Sequence, residues 1–126
     1  MNGDVRLNKI RQIALVQHDV DRAVPFYRDG LGLTLEFMIA GMAFFDAGGV
    51  RLMLSKPSAP EFDHKNSILY FDVPAIDRAY ETLKARDVPF IDKPHVVGRT
   101  ATHEIWVCNC KDPEGNVIAI TEERRL

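Results

Sequence analysis

The chain has 126 residues, of which 46% are hydrophobic and 27% are charged. These are the proportions of one ordinary folded domain and exclude two large independent domains. The chain contains 16 Lys and Arg residues and 18 Asp and Glu residues, which gives a net charge of −2. Because phosphate binding needs a clustered basic face, we expect no nucleic-acid partner. The N-terminus is polar and no apolar run approaches the span of a bilayer, so we expect a cytoplasmic protein without a membrane partner.

An internal repeat organises the chain. The segments 12–23 and 68–79 align at an offset of 56, and each passes from an apolar run into a helical pattern. In the second copy, Ile76, Ala79, Tyr80 and Leu83 form one apolar stripe along a helix.

The first copy predicts a helix that begins after Asp19. Asp is a favoured N-cap residue because its carboxylate accepts from the free N–H groups of the first turn. Pro25 lies inside this helix and lacks an N–H. We therefore expect a bend or a short 3₁₀ start there.

Strand patterns follow each helix. Gly48-Gly49 and the segment 112–115 have the composition of tight turns between strands. The predicted strands after the two helices are Leu33–Ile39, Met42–Ala47 and Val50–Ser55 in the first copy, and Val88–Ile91, Thr102–Cys110 and Asn116–Thr121 in the second.

These elements predict an α+β protein, with two βαβββ repeats forming a curved mixed sheet around a cavity. The predicted boundaries are about 7–55 for the first repeat, 56–66 for the linker and 67–122 for the second repeat. All lie within a single domain, 1–126.

Two segments carry a resemblance to a known family. They are Phe26-Tyr27-Arg28-Asp29-Gly30-Leu31-Gly32-Leu33 and Asp112-Pro113-Glu114-Gly115-Asn116. Together with the repeat, these segments resemble the vicinal oxygen chelate superfamily. This superfamily contains glyoxalase I, extradiol dioxygenases and the bleomycin resistance protein. The resemblance extends from about Leu7 to Glu122 and implies a cup that opens away from the helices.

The resemblance also assigns the positions where superfamily enzymes hold a divalent metal. They fall on Gln12, Met53, Ile68 and Ala119, and only Gln12 offers a donor atom. Since a catalytic divalent ion needs about three protein ligands, we predict no metal and no cofactor at this site. The four histidines, at positions 18, 64, 95 and 103, lack the close spacing that would pair two imidazoles on another ion.

The cup that the resemblance implies has apolar walls with a few polar groups, as ligand pockets usually have. Tyr70 and Asp72 are also the catalytic candidates, as proton donor and base, although the position of Asp72 near the strand end favours a hydrogen-bonded turn residue. The predicted ligand-binding residues are Gln12, Arg51, Met53, Ile68, Tyr70, Asn109 and Ala119.

These observations favour a metal-free protein that binds a small, partly hydrophobic molecule, as resistance and sequestration proteins do. We expect a homodimer, as the resemblance implies. The alternative is a glyoxalase-like lyase or a dioxygenase-type enzyme with a non-standard or absent metal site. A third interpretation is a structural dimer whose cup is packed shut. Cys108 and Cys110 are expected to be reduced thiols, with a metal or redox pair as the alternative.

Overall fold

The structure, a computed structural model, describes residues 5–126. The predicted domain starts at residue 1, so its first four residues lie outside the described part. Among residues 5–126, no helix is long and apolar enough to cross a bilayer.

The first repeat forms a four-stranded sheet with one helix. The sheet order is β1-β4-β3-β2, with β1 parallel to β4 and the other neighbours antiparallel. Its elements are β1 (Gln12–Val16), α1 (Val20–Pro25), β2 (Thr34–Ile39), β3 (Met42–Ala47) and β4 (Val50–Ser55).

The second repeat has the same topology, with sheet order β5-β8-β7-β6 and β5 parallel to β8. Its elements are β5 (Leu69–Asp72), α2 (Ile76–Ala85), β6 (His95–Arg99), β7 (His103–Lys111) and β8 (Val117–Arg125). The predicted α+β class and the two βαβββ repeats are confirmed.

The first helix differs from the prediction after Pro25. Asp19 caps it as predicted, accepting from the N–H of Arg22. The chain then continues through Phe26–Gly30 as a π-helical turn, closed by the Leu31 N–H to the Phe26 carbonyl at 2.8 Å. The expected 3₁₀ start is wrong. The missing N–H of the proline is accommodated by widening the turn that follows it.

One predicted strand is also wrong. Residues 88–91 form only an isolated bridge between Phe90 and Cys110, and the edge strand of this sheet is His95–Arg99. Pro89 lies inside the predicted strand and Pro94 immediately precedes the observed one, and a proline has no N–H to donate to a neighbouring strand. The regular pairing therefore starts only after Pro94.

A single core lies between the helices and one face of each sheet. Phe45 and Leu52 contribute to it from the first sheet, and Ile118 and Cys108 from the second. Burial raises the pKa of the Cys108 thiol to about 11 and that of Cys110 to about 12. Both are free thiols that stay protonated at neutral pH, which argues against a reactive redox pair.

Candidate functional site

Alternation along the strands places the predicted site residues on the sheet faces opposite the core. On the first sheet, Gln12 lies beside Arg51, and the Gln12 amide contacts the Met53 sulfur at 3.6 Å. Two phenylalanines complete this surface. We call Gln12, Phe37, Phe44, Arg51 and Met53 the first open face.

The first open face carries an aromatic stack beneath an arginine. The rings of Phe37 and Phe44 stack with centroids 4.4 Å apart and planes 18° apart. The Arg51 guanidinium carbon lies 5.3 Å from the Phe37 ring centre and 5.9 Å from that of Phe44. Arg51 Nε has no hydrogen-bond partner within residues 5–126, and Glu36 Oε1 is 3.7 Å away. The Arg51 guanidinium therefore packs against the two phenylalanine rings and makes only a long ion pair with Glu36.

The second sheet presents Ile68, Tyr70, Asn109 and Ala119, which we call the second open face. Tyr70 and Asn109 flank Ala119 in the strand register. Ala119 is fully buried, whereas Ile68 is 48% and Tyr70 60% exposed. Asp92 accepts from both the backbone N–H and the side-chain amide of Asn109, at 2.6 and 2.8 Å.

The predicted ligand-binding residues therefore fall into two groups, one on each open face. Across residues 5–126, no side-chain hydrogen bond joins one group to the other. Tyr70 also lies with Asp72 in a separate cavity of about 420 Å³, where the start of β1, the end of β5 and the β3–β4 turn meet. This cavity is lined by Ile13, Leu33, Asp46, Ala47, Gly48, Val50, Leu52, Leu69, Tyr70, Phe71 and Asp72.

The turn 112–115 holds a buried carboxylate that joins the two repeats. Asp112 Oδ2 accepts from the side chains of Gln17 at 2.7 Å, Tyr27 at 2.8 Å and Asn116 at 2.9 Å. Asp112 Oδ1 accepts from the backbone N–H groups of Glu114 and Asn116, both at 2.9 Å. Five hydrogen bonds satisfy this charge without a cation. The two segments that carry the family resemblance thus meet in the core, where they hold the repeats together.

Burial and the Asp112 carboxylate both act on the Tyr27 hydroxyl. They raise its pKa far above the ordinary value, with burial the larger cause. Tyr27 is therefore a permanent donor to Asp112.

His18 lies at the corner between β1 and α1, as a surface residue. Its ring nitrogens are 3.0 Å from Asp63 Oδ1 and 3.2 Å from Glu114 Oε1. The hydrogen bond to Asp63 and the Asp63 charge raise the pKa of His18, with a smaller contribution from Glu114. Glu114 also accepts from the backbone N–H groups of His18 and Asp19. His18 thus connects the segment between the repeats to the β7–β8 turn.

Comparison with known proteins identifies the family. The sequence model of the Glyoxalase/Bleomycin resistance protein/Dioxygenase superfamily matches residues 9–120. The chain belongs to this superfamily.

Its relatives in the superfamily include proteins of known and unknown activity. The uncharacterized protein YraH of Bacillus subtilis (strain 168) is 30% identical, over 89% of this chain and 96% of that one. A superfamily structure from Nocardioides has 26% identity and a TM-score of 0.71, covering 95% of this chain and 86% of that one. Lactoylglutathione lyase from Agrobacterium tumefaciens has 24% identity and a TM-score of 0.67, over 92% and 94% of the two chains, and shows the fold alone.

The residues at the positions that the resemblance assigns to the superfamily's metal do not have the donor atoms of a divalent metal site. Gln12 is the one oxygen donor there, and its amide nitrogen is turned toward the thioether of Met53. Ile68 and the buried Ala119 offer no donor atom. Across the described part of the chain, no three His, Cys, Asp or Glu residues lie close enough to share a metal ion. Divalent metal sites need such donors.

Sequence reasoning missed two features of this region. The stack of Phe37 on Phe44 was not predicted, because Phe37 was not assigned to the predicted cup. The shift in pairing between Leu35 and Phe37 turns Phe37 onto the open face. The buried role of Asp112 was also missed, because Asp-Pro-x-Gly is typical of an exposed turn.

Proposed function

We propose that this protein is a metal-free member of the superfamily that binds a small, partly hydrophobic molecule. It acts by binding, in the manner of resistance or sequestration proteins, and makes or breaks no bond. The proposal rests on the exposure of Phe37, Ile68 and Tyr70, which are 40%, 48% and 60% accessible on the open faces. It is supported by Met53, Ile68 and Ala119, which occupy positions that the resemblance assigns to the metal.

The chemistry of the first open face supports a planar ligand. A ring can pack against the exposed Phe37, which stacks on the buried Phe44, and Arg51 can donate to an acceptor group on the ligand. On the second open face, Tyr70 supplies an apolar ring with a hydroxyl at its end. Asn109 contributes less, because its amide already donates to Asp92.

The proposal includes a homodimer, in which an open face of one protomer covers an open face of its partner around the ligand. Phe37 is 40% exposed, and Ile68 and Tyr70 are more exposed still. Clustered exposed apolar side chains mark interaction surfaces, and twofold dimers are the commonest oligomers. We also propose a cytoplasmic location, supported by the two free thiols of Cys108 and Cys110.

The test is fluorescence titration with N-phenyl-1-naphthylamine, a neutral apolar probe. Phe37→Ala and Tyr70→Ala each remove an exposed ring from an open face, and we expect roughly threefold to tenfold weaker binding. Phe62→Ala is the matched control, because Phe62 is equally exposed but lies in the 3₁₀ turn between the repeats. Equal binding by all three variants and the unaltered protein would contradict the proposal, as would loss of binding on addition of a chelator.

An enzyme is the second candidate, favoured by the shared position of Tyr70 and Asp72 in one cavity. In this case Asp72 would accept a proton from the substrate and Tyr70 would donate one. The test is lactoylglutathione lyase activity in chelator-treated protein. Activity that is lost in Asp72→Asn would support the enzyme, and inactivity of the unaltered protein would favour the binding protein.

A further inference from the structure

The end of β1 and the equivalent end of β5 are filled differently. At one end, Gln17 and Tyr27 reach Asp112 in the β7–β8 turn and form a buried polar plug. The repeat offset of 56 places Val73 and Leu83 at the positions that correspond to Gln17 and Tyr27. Neither can donate a side-chain hydrogen bond, so the other end has no equivalent plug.

The turn at that other end also lacks side chains that could fill it. Gly48 and Gly49 form the β3–β4 turn with φ of 68° and 93°, and a Cβ at either would meet nothing within 4 Å. The cavity of about 420 Å³ remains open beside this turn, with Leu52, Leu69 and Phe71 among its walls. This volume is within the range of small-molecule pockets.

The polar groups at this cavity are carboxylates and one phenol. Asp46 uses one oxygen to accept from the Gly49 N–H at 3.1 Å, which leaves the other available. The Asp72 carboxylate makes no hydrogen bond or ion pair with any residue in the range 5–126. Within the same range, no side chain that lines the cavity is basic. Arg51 is opposite Asp46 in the register of β3 and β4 but does not line the cavity. The cavity therefore combines an apolar interior with a rim that carries two carboxylates.

We propose that this cavity is a second ligand site, distinct from the first open face and bordered by Tyr70 of the second, and that it takes an apolar organic cation. The hydrophobic body of the ligand packs against Leu52, Leu69 and Phe71, and its ammonium group lies at Asp46 and Asp72. Tyr70 adds a hydroxyl acceptor at the same rim. An apolar amine gains both from burial of its body and from the negative charge, whereas an apolar acid would be repelled.

The experiment compares three probes of one shape: 2-naphthylmethylammonium, the neutral 2-naphthylmethanol and the anionic 2-naphthoate. Binding is measured by calorimetry, and amide NMR shifts at Gly48 and Gly49 locate the site. We expect the ammonium probe to bind most tightly. Asp46→Asn and Asp72→Asn should each weaken its binding roughly threefold to fivefold, as loss of one exposed ion pair does.

Glu81→Gln is the matched control, since it removes a carboxylate from the exposed side of α2 and should leave binding unchanged. Val50→Phe should block the cavity without altering binding of N-phenyl-1-naphthylamine to the open faces. Equal affinity for the ammonium and the alcohol, or unchanged binding in both aspartate variants, would overturn this proposal. The first open face is tested independently of these results, by the binding of N-phenyl-1-naphthylamine to Phe37→Ala, because Phe37 does not line the cavity.

Discussion

Replacing Tyr27 by Phe tests the role of the buried carboxylate most cleanly. The substitution keeps the ring and removes the hydroxyl that donates to Asp112 Oδ2 at 2.8 Å. Gln17 and Asn116 still donate to the same oxygen, so the carboxylate remains partly satisfied. A hydrogen bond to a charged group contributes about 1.5–3 kcal/mol, and we expect the free energy of unfolding to fall by about 2 kcal/mol.

Urea unfolding, followed by the fluorescence of the single tryptophan and by circular dichroism, measures this loss. The midpoint should fall while the slope stays constant. Tyr80→Phe is the control, because Tyr80 is also buried but its hydroxyl makes no hydrogen bond within residues 5–126. That variant should differ from the unaltered protein by less than about 0.5 kcal/mol. Equal losses in the two variants would show that the Tyr27 hydroxyl does not stabilise the fold through Asp112.

Three further predictions concern pH, metal and assembly. His18 has a pKa above its ordinary 6.5 in the folded state. Its stabilising contribution is therefore complete below about pH 6.5 and disappears as pH rises through the raised value. Unfolding of His18→Gln and of the unaltered protein, compared between roughly pH 5 and pH 9, should show a difference that shrinks as pH rises, and a constant difference would contradict this. Chelator, or added nickel, zinc, manganese or iron, should move the melting temperature by less than about 1 °C, and a rise of several degrees would indicate a metal site. Light scattering on the protein as it elutes from a size-exclusion column should give twice the 14.3 kDa chain mass. A monomer mass at micromolar concentration would contradict the proposed homodimer.

The repeat made most of the fold predictable. Alternation along the strands and the 56-residue offset were enough to assign two βαβββ units, since both patterns are local properties of the chain. The errors fall beside prolines. After Pro25 the helix widens into a π-turn, and between Pro89 and Pro94 the chain pairs only through a bridge at Phe90. In both places, packing decided between conformations that the local sequence allows.

The candidate site was predictable only in part. The resemblance placed Gln12, Arg51 and Met53 in the cup, and the register of β1 and β4 puts their side chains on one face of the sheet, because side chains alternate with a period of two. The bulge that exposes Phe37 could not be foreseen from that period. The cavity beside Gly48 forms because segments that are distant in sequence leave space between them. No single stretch of sequence predicts such a space.

The sequence contains one indication of the polar plug around Asp112. Gln17 and Tyr27 have donor groups, whereas Val73 and Leu83 at the matching positions of the second repeat are apolar. A difference of this kind between two otherwise equivalent positions indicates that one of them has a polar partner elsewhere in the chain.

The residues at the positions that the resemblance assigns to the superfamily's metal are expected to bind no ion. The most direct measurement is the metal content of the purified protein, prepared without chelator and determined by inductively coupled plasma mass spectrometry. We expect the purified protein to contain far less than one divalent ion per chain. A full equivalent that is retained through dialysis, and lost in Gln12→Ala, would contradict it.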